Sequence, residues 1–247
     1  MKKTIFSLLV IFLWNVGHGQ TKMQNTKVKV KPNSEKHLSD RDSACVDPRF
    51  AIKVLMDGNK RFINGIPQKP RQDLISVKKL ENGQHPFATI VGCSDSRVPN
   101  EMLFDQGFGD LFIIRTAGQV SEDASYASME FAAVKLNTKL IVVLGHTECG
   151  AVSATVSGMA NAPGHLQTLI DAIKPAVAKS KDAKGNPLNN AVRQNVIDEV
   201  TTLRNLDPIL KKKYTDGELL IVGAVYDIHT GKVEFLNETI ADLPKTK

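Results

Sequence analysis

The sequence predicts an α/β fold: a mostly parallel central sheet flanked by helices, with an N-terminal helical arm. Three observations predict it. Four short apolar runs, at 87–92, 111–114, 140–145 and 219–226, are continuous rather than alternating, which is the pattern of strands buried on both faces. Helical segments separate them, at 121–136, 150–158, 163–178 and 188–204, as right-handed strand–helix–strand crossovers require. The chain has 247 residues, 42% of them apolar and 23% charged, which suits one large globular α/β domain and excludes a collagenous, disulfide-rich or disordered protein.

Taken in order, the first segment reads as a secretory signal over residues 1–19. Lys2 and Lys3 form a positive start, 5–16 is an almost unbroken apolar run, and Gly17 and Gly19 supply small residues for cleavage. That run is shorter than the ~20 residues a membrane helix needs. Residues 20–46 are polar and Lys-rich and read as a flexible leader. Order is expected from residue 47 to 247, starting where Asp47 and Pro48 offer a helix cap and first turn for a helix over 48–63, the arm. Gly65, Pro67 and Pro70 break it, and a second helix is expected over 71–81. Residues 227–231 read as a turn that returns a last strand at 232–236.

The implied setting is export, to a periplasm or beyond, with no membrane contact once the signal is removed. There the three cysteines, Cys45, Cys93 and Cys149, are an odd number that leaves at least one thiol outside any disulfide. The net charge of +6 is scattered, and Lys211-Lys212-Lys213 reads as a solvated helix end. No basic stripe interleaves with aromatics, so nucleic acid is excluded as a partner. Gly107-Phe108-Gly109-Asp110 lacks the following Lys-Ser/Thr of a phosphate loop and reads as a turn.

The chemistry sits where two apolar runs end. One ends in Cys93-Ser94-Asp95-Ser96-Arg97, another in His146-Thr147-Glu148-Cys149-Gly150. Ligands of open α/β sheets bind at the carboxyl ends of strands, so neighbouring strands would bring Cys93, His146 and Cys149 to one point. Two thiolates and an imidazole are a catalytic zinc set with the fourth position left for water. Two other readings fit the same thiols: small buried hydrophobes, or a disulfide between them. Asp95 and Arg97 are spaced for a bidentate ion pair that keeps the carboxylate charged beside the metal, or equally for an ordinary loop pair.

These residues resemble the beta-class carbonic anhydrases. The resemblance runs from about Gly58 to Leu236. It is strongest in Cys93-Ser94-Asp95-Ser96-Arg97-Val98 and Gly145-His146-Thr147-Glu148-Cys149-Gly150-Ala151, with support from Gly58-Asn59-Lys60-Arg61-Phe62, Tyr226-Asp227 and Thr230-Gly231. It implies a zinc cofactor on Cys93, His146 and Cys149, with Asp95 and Arg97 as the catalytic pair. In a closed form of such enzymes Asp95 itself becomes a zinc ligand. It implies a substrate pocket of Gln84, Phe112, Phe131 and Gly150, and reversible hydration of carbon dioxide to bicarbonate and a proton. It also implies a homodimer, or a multiple of dimers, with the helical arm wrapping a partner and Gln84 and Phe131 facing a site on the other subunit. Thr116, Ala117 and Gln119 depart from the family pattern and bear on rate and substrate range. Competing readings are a hydrolase of carbonyl sulfide or carbon disulfide on the same scaffold, and an exported zinc-binding protein without catalysis. A dithiol redox protein would need a Cys-x-x-Cys, which is absent.

Overall fold

The computed structural model describes residues 42–159 and 161–246. The signal segment and residues 20–41 of the leader lie outside the described residues. The last five leader residues, 42–46, are helical, and Ala44 is fully buried in the main core. Order therefore begins before Asp47, because Ala44 and the partly buried Cys45 pack against the core; the polar residues around them hid it.

The arm is helix α1, Pro48–Ile63, with the predicted bounds. Asp47 caps it, accepting the Arg49 amide at 2.8 Å, and Pro48 occupies the first turn, where a missing N–H costs nothing. Ala51, Val54, Leu55 and Gly58 face inward at helical spacing. Gly58 is required there: a Cβ would come within 1.8 Å of the Phe104 carbonyl oxygen. A short helix α2, Leu74–Lys79, follows and buries none of its residues.

The sheet is then laid down strand by strand. β1 is Ala88–Cys93, followed by the short α3, Asn100–Leu103, and by β2, Leu111–Thr116. A 3-10 turn at Ala117–Gln119 leads to α4, Asp123–Lys135, and β3, Leu140–His146. Three helices come next, α5 at Gly150–Val156, α6 at Leu166–Ser180 and α7 at Pro187–Arg204. The short α8, Leu210–Thr215, precedes β4, Leu220–Tyr226. β5, Val233–Phe235, and α9, Asn237–Ile240, complete the described chain.

The order across the sheet is β2-β1-β3-β4-β5, parallel except for β5, which returns antiparallel to β4. β1 and β3 are buried along their whole length, as their continuous apolar sequence predicts. Alternate residues feed two cores. Ala88, Ile90, Leu140 and Val142 pack with Ala51, Leu55 and Phe104 on one face. Val91, Ile141 and Val143 pack with Met129, Val196, Val200 and Leu203 on the other. The chain leaves β1 toward one edge and crosses back to β3 on its other side. That reversal opens a crevice between the carboxyl ends of β1 and β3.

Sequence reading misses α3 and α9, whose four residues are too few to show helical periodicity. The lysine run lies on α8, where Lys211, Lys212 and Lys213 pair with Asp207, Asp216 and Glu218, so it is a solvated helix end as expected. Residues 107–110 form a turn. Among the described residues, no helix is long and apolar enough to cross a membrane.

Candidate metal centre and active site

β1 delivers Cys93 and β3 delivers His146 to the two sides of that crevice, because each is the last residue of its strand. The chain then makes a tight turn through Thr147 and Glu148. Glu148 adopts the left-handed region at φ 56, which turns the backbone sharply enough for Cys149 to come back beside His146. Cys149 then leads into α5 as its N-cap. The sulfurs of Cys93 and Cys149 and a ring nitrogen of His146 lie within 4.8 Å of one another. All three residues are buried, and no disulfide joins the thiols.

His146 is prepared as a ligand. Its Nδ1 lies 2.8 Å from the Thr147 carbonyl, an acceptor only, so Nδ1 carries the proton and Nε2 keeps its lone pair. That Nε2 is buried with no hydrogen-bond partner. A buried polar atom without a partner costs about 1–3 kcal/mol, and a metal ion held by it and the two thiols would remove the cost.

Cys93 is prepared as a thiolate. Its sulfur accepts the amides of Asp95 at 3.4 Å and Gly118 at 3.3 Å. Hydrogen bonding from the Cys149 thiol is the largest influence, and with those two amides it holds the Cys93 thiol down to about 4. Cys149 is pushed upward by that same contact and by burial.

Asp95 and Arg97 form the bidentate pair that the spacing predicts. Asp95 Oδ1 accepts the Arg97 amide at 2.9 Å and Nε at 3.0 Å, and Oδ2 accepts Nη2 at 2.8 Å. The Arg97 guanidinium, aided by its amide, lowers the Asp95 carboxyl to about 2. Oδ2 stands 3.9 Å from His146 Nε2, so the carboxylate is turned to Arg97 and borders the three ligand atoms. Arg97 Nη2 also donates to the Glu148 carbonyl at 3.0 Å, tying the two motif loops together.

Two contributors escape sequence reasoning. Arg115, the residue after the second apolar run, donates to the Cys93 carbonyl at 3.0 Å and the Asp95 carbonyl at 2.7 Å, clamping the loop between them. Its place at a strand end was the available signal. Gly118 acts through its backbone, which no motif of side chains reveals. On the β3 side, Thr147 Oγ1 accepts the Ile228 amide at 3.1 Å and lies 3.5 Å from Asp227 Oδ1, anchoring the turn that carries His146.

Of the pocket residues, Gly150 lies at the centre, exposed in the first turn of α5, with open space where a side chain would be. The other three lie elsewhere in the chain. Phe112 pairs in register with Thr89, four residues before Cys93, roughly 13 Å along the strand. The Phe131 ring lies tilted against Phe112, with centroids 6.4 Å apart, and Phe131 is 48% exposed. Gln84 is exposed ahead of β1. A single chain thus keeps Gln84, Phe112 and Phe131 at the amino end of the strands and the ligand atoms at the carboxyl end.

A metal-site enzyme built on an open α/β sheet is the class that fold and centre define. The family model for carbonic anhydrase matches residues 88–233. The chain is 36% identical over 189 residues to carbonic anhydrase 2 of Mycobacterium tuberculosis, covering 75% of this chain and 91% of that one. It is 37% identical over 191 residues to the carbonic anhydrase of Mycolicibacterium smegmatis, covering 76% and 93%. Among solved structures, a tetrameric beta-carbonic anhydrase of Sordaria macrospora superposes with TM-score 0.59 at 28% identity, covering 65% of this chain and 85% of that one. The chain belongs to the beta-carbonic anhydrase family, and carbonic anhydrase activity is its activity.

Proposed function

We propose that this chain is an exported zinc enzyme that hydrates carbon dioxide to bicarbonate and a proton, with Cys93, His146 and Cys149 holding the metal. The observation that carries the reading is the buried, partnerless Nε2 of His146, set against two free thiols and bordered by a charged carboxylate. Two sulfurs and one nitrogen are a donor set for zinc with an open position. Bound there, zinc supplies Lewis acidity that makes water a nucleophile near neutral pH.

The protein's part is positioning. Thr147 fixes the tautomer of His146, and the amides of Asp95 and Gly118 hold Cys93 as a thiolate. With its carboxyl near 2, Asp95 is too weak a base to take a proton at neutral pH. It serves as a hydrogen-bond acceptor that orients the attacking water's O–H, so that an oxygen lone pair faces the substrate carbon. Attack forms the new C–O bond of bicarbonate, and the proton lost by the water passes to solvent.

The apolar wall for carbon dioxide comes from a second copy of the chain. Phe131, half exposed on α4, and Phe112 on the edge strand β2 lie at the opposite end of the strands from their own subunit's ligand residues, with Gln84 at the same end of the sheet. The working form is a homodimer or a multiple of dimers. Export rests on the charged start and apolar run of residues 1–19.

Metal analysis with X-ray absorption at the zinc edge tests the reading. About one zinc per chain with two sulfur neighbours and one imidazole supports it. A zinc-free active enzyme, or a shell without sulfur, refutes it.

A further inference from the structure

The amide that braces Cys93 is itself braced from behind. Gly118 donates its N–H to Cys93 Sγ at 3.3 Å, and the Gly118 carbonyl accepts Nδ2 of Asn195, on α7, at 3.1 Å. Asn195 is 8% exposed, and none of the sequence motifs includes it. Gly118 sits at φ 65, ψ 20, in the left-handed region, and a Cβ there would meet Ile173 Cδ1 at 3.0 Å and Ala151 Cβ at 3.1 Å. Glycine is therefore needed at this turn, and glycine is also the residue least able to hold its own backbone angles. The hydrogen bond that closes the turn, from the Val120 amide to the Ala117 carbonyl, is long at 3.5 Å. The firm anchors are the Thr116 hydroxyl, which donates to the Val120 carbonyl at 2.6 Å beyond the turn, and Asn195 at the glycine itself.

We infer that Asn195 is a positioning residue for the Cys93 thiolate: it fixes the Gly118 backbone so that its N–H stays aimed at the sulfur, and thereby sets how strongly that sulfur donates to the metal. The inference rests on Cys93 being a metal ligand. Hydrogen bonds to ligating sulfurs draw electron density away from the metal, and outer partners of this kind tune metal affinity. The coupling is mechanical. The carbonyl that Asn195 grips and the N–H that meets sulfur belong to successive peptide units, joined only by the torsions of Gly118. A side chain that merely tied α7 to the turn would contribute stability and leave the sulfur's electronic character alone.

The full-length protein loaded with cobalt separates the two roles, because the thiolate-to-cobalt charge-transfer band reports on sulfur directly. Asn195→Leu removes the donor. Asn195→Asp keeps the shape but presents an acceptor to the carbonyl. In both, the band is expected to move to lower energy as the sulfur donates more strongly, and zinc affinity measured by chelator competition to weaken about tenfold, because the sulfur is no longer held in place for the metal. Asn195→Gln, which keeps an amide donor, is expected to return both values toward wild type. Folded Leu and Asp variants with a wild-type band and an affinity within about twofold overturn the inference, even if their melting temperature falls. A wild-type protein that takes up cobalt without any thiolate band instead removes Cys93 as a ligand, which is failure of the site reading and not of Asn195.

Discussion

The two ends of the central strands break opposite rules of burial. At the carboxyl end of β1 and β3, polar atoms are buried without partners: His146 Nε2 and Gln119 Nε2 are both orphaned. At the amino end and the β2 edge, apolar side chains are left in solvent: Phe131 and Val134 are each 48% exposed, and Phe108 is 51% exposed. A lone exposed apolar residue needs no explanation, but an aromatic pair between Phe112 of the edge strand and Phe131 of α4 does. The comparison teaches that the two ends suit opposite company: the buried nitrogen and thiols at one end could hold a cation, and the exposed aromatics at the other present an apolar surface.

The largest test of this contrast removes a ligand. Cys149→Ala is expected to leave almost no zinc by elemental analysis and to lower hydration by about 1,000-fold or more, while the fold persists by circular dichroism. An active, metal-free variant would erase the special status of the carboxyl end. Next comes Asp95→Asn, which keeps the shape and removes the charge. It should retain zinc and lose about 100-fold in kcat, since orientation of the attacking water is what it disturbs. A loss of zinc instead would make Asp95 a structural partner of the ligands.

The other end is probed by Phe131→Ala, with the oligomer followed by light scattering. Loss of a ring worth about 1.5–3 kcal/mol should weaken association about tenfold or more, and activity should fall with dilution. A variant that assembles as the wild type does would show that the exposed pair has no partner to meet. The smallest effect is on pH. The folded Asp95 carboxyl lies near 2, below its ordinary value of ~3.9, because of Arg97. Its contribution to stability is therefore present above about pH 4 and is lost as pH falls through about 2. The activity profile should carry no acidic limb from this group above about pH 4, and Arg97→Ala should move titration of Asp95, followed by NMR, upward.

Much of this was legible because the signals were local. Continuous apolar runs gave β1 and β3, and Asp47-Pro48 placed the start of α1 where the structure has it. The convergence of Cys93, His146 and Cys149 was legible because each closes a strand or opens a helix, so topology alone brings them together. What stayed hidden works through the backbone or across long sequence distance. The Gly118 amide has no letter in the sequence, and Asn195 lies 77 residues from the carbonyl it holds. Helices of four residues such as α3 carry too little periodicity to see, and the buried Ala44 sits in an otherwise polar leader. The position of Phe112 is set by register, which only the paired strands reveal.

The central claim is that the Cys93, His146 and Cys149 centre is the seat of hydration. Stopped-flow carbon dioxide hydration from about pH 6.5 to 9, before and after chelation and again after adding zinc back, tests it most directly. The account predicts fast turnover that rises with pH at about one zinc per chain, loss on chelation, and recovery with zinc. Undiminished turnover in protein stripped of metal, or none at all in protein carrying a full complement of zinc, would contradict it.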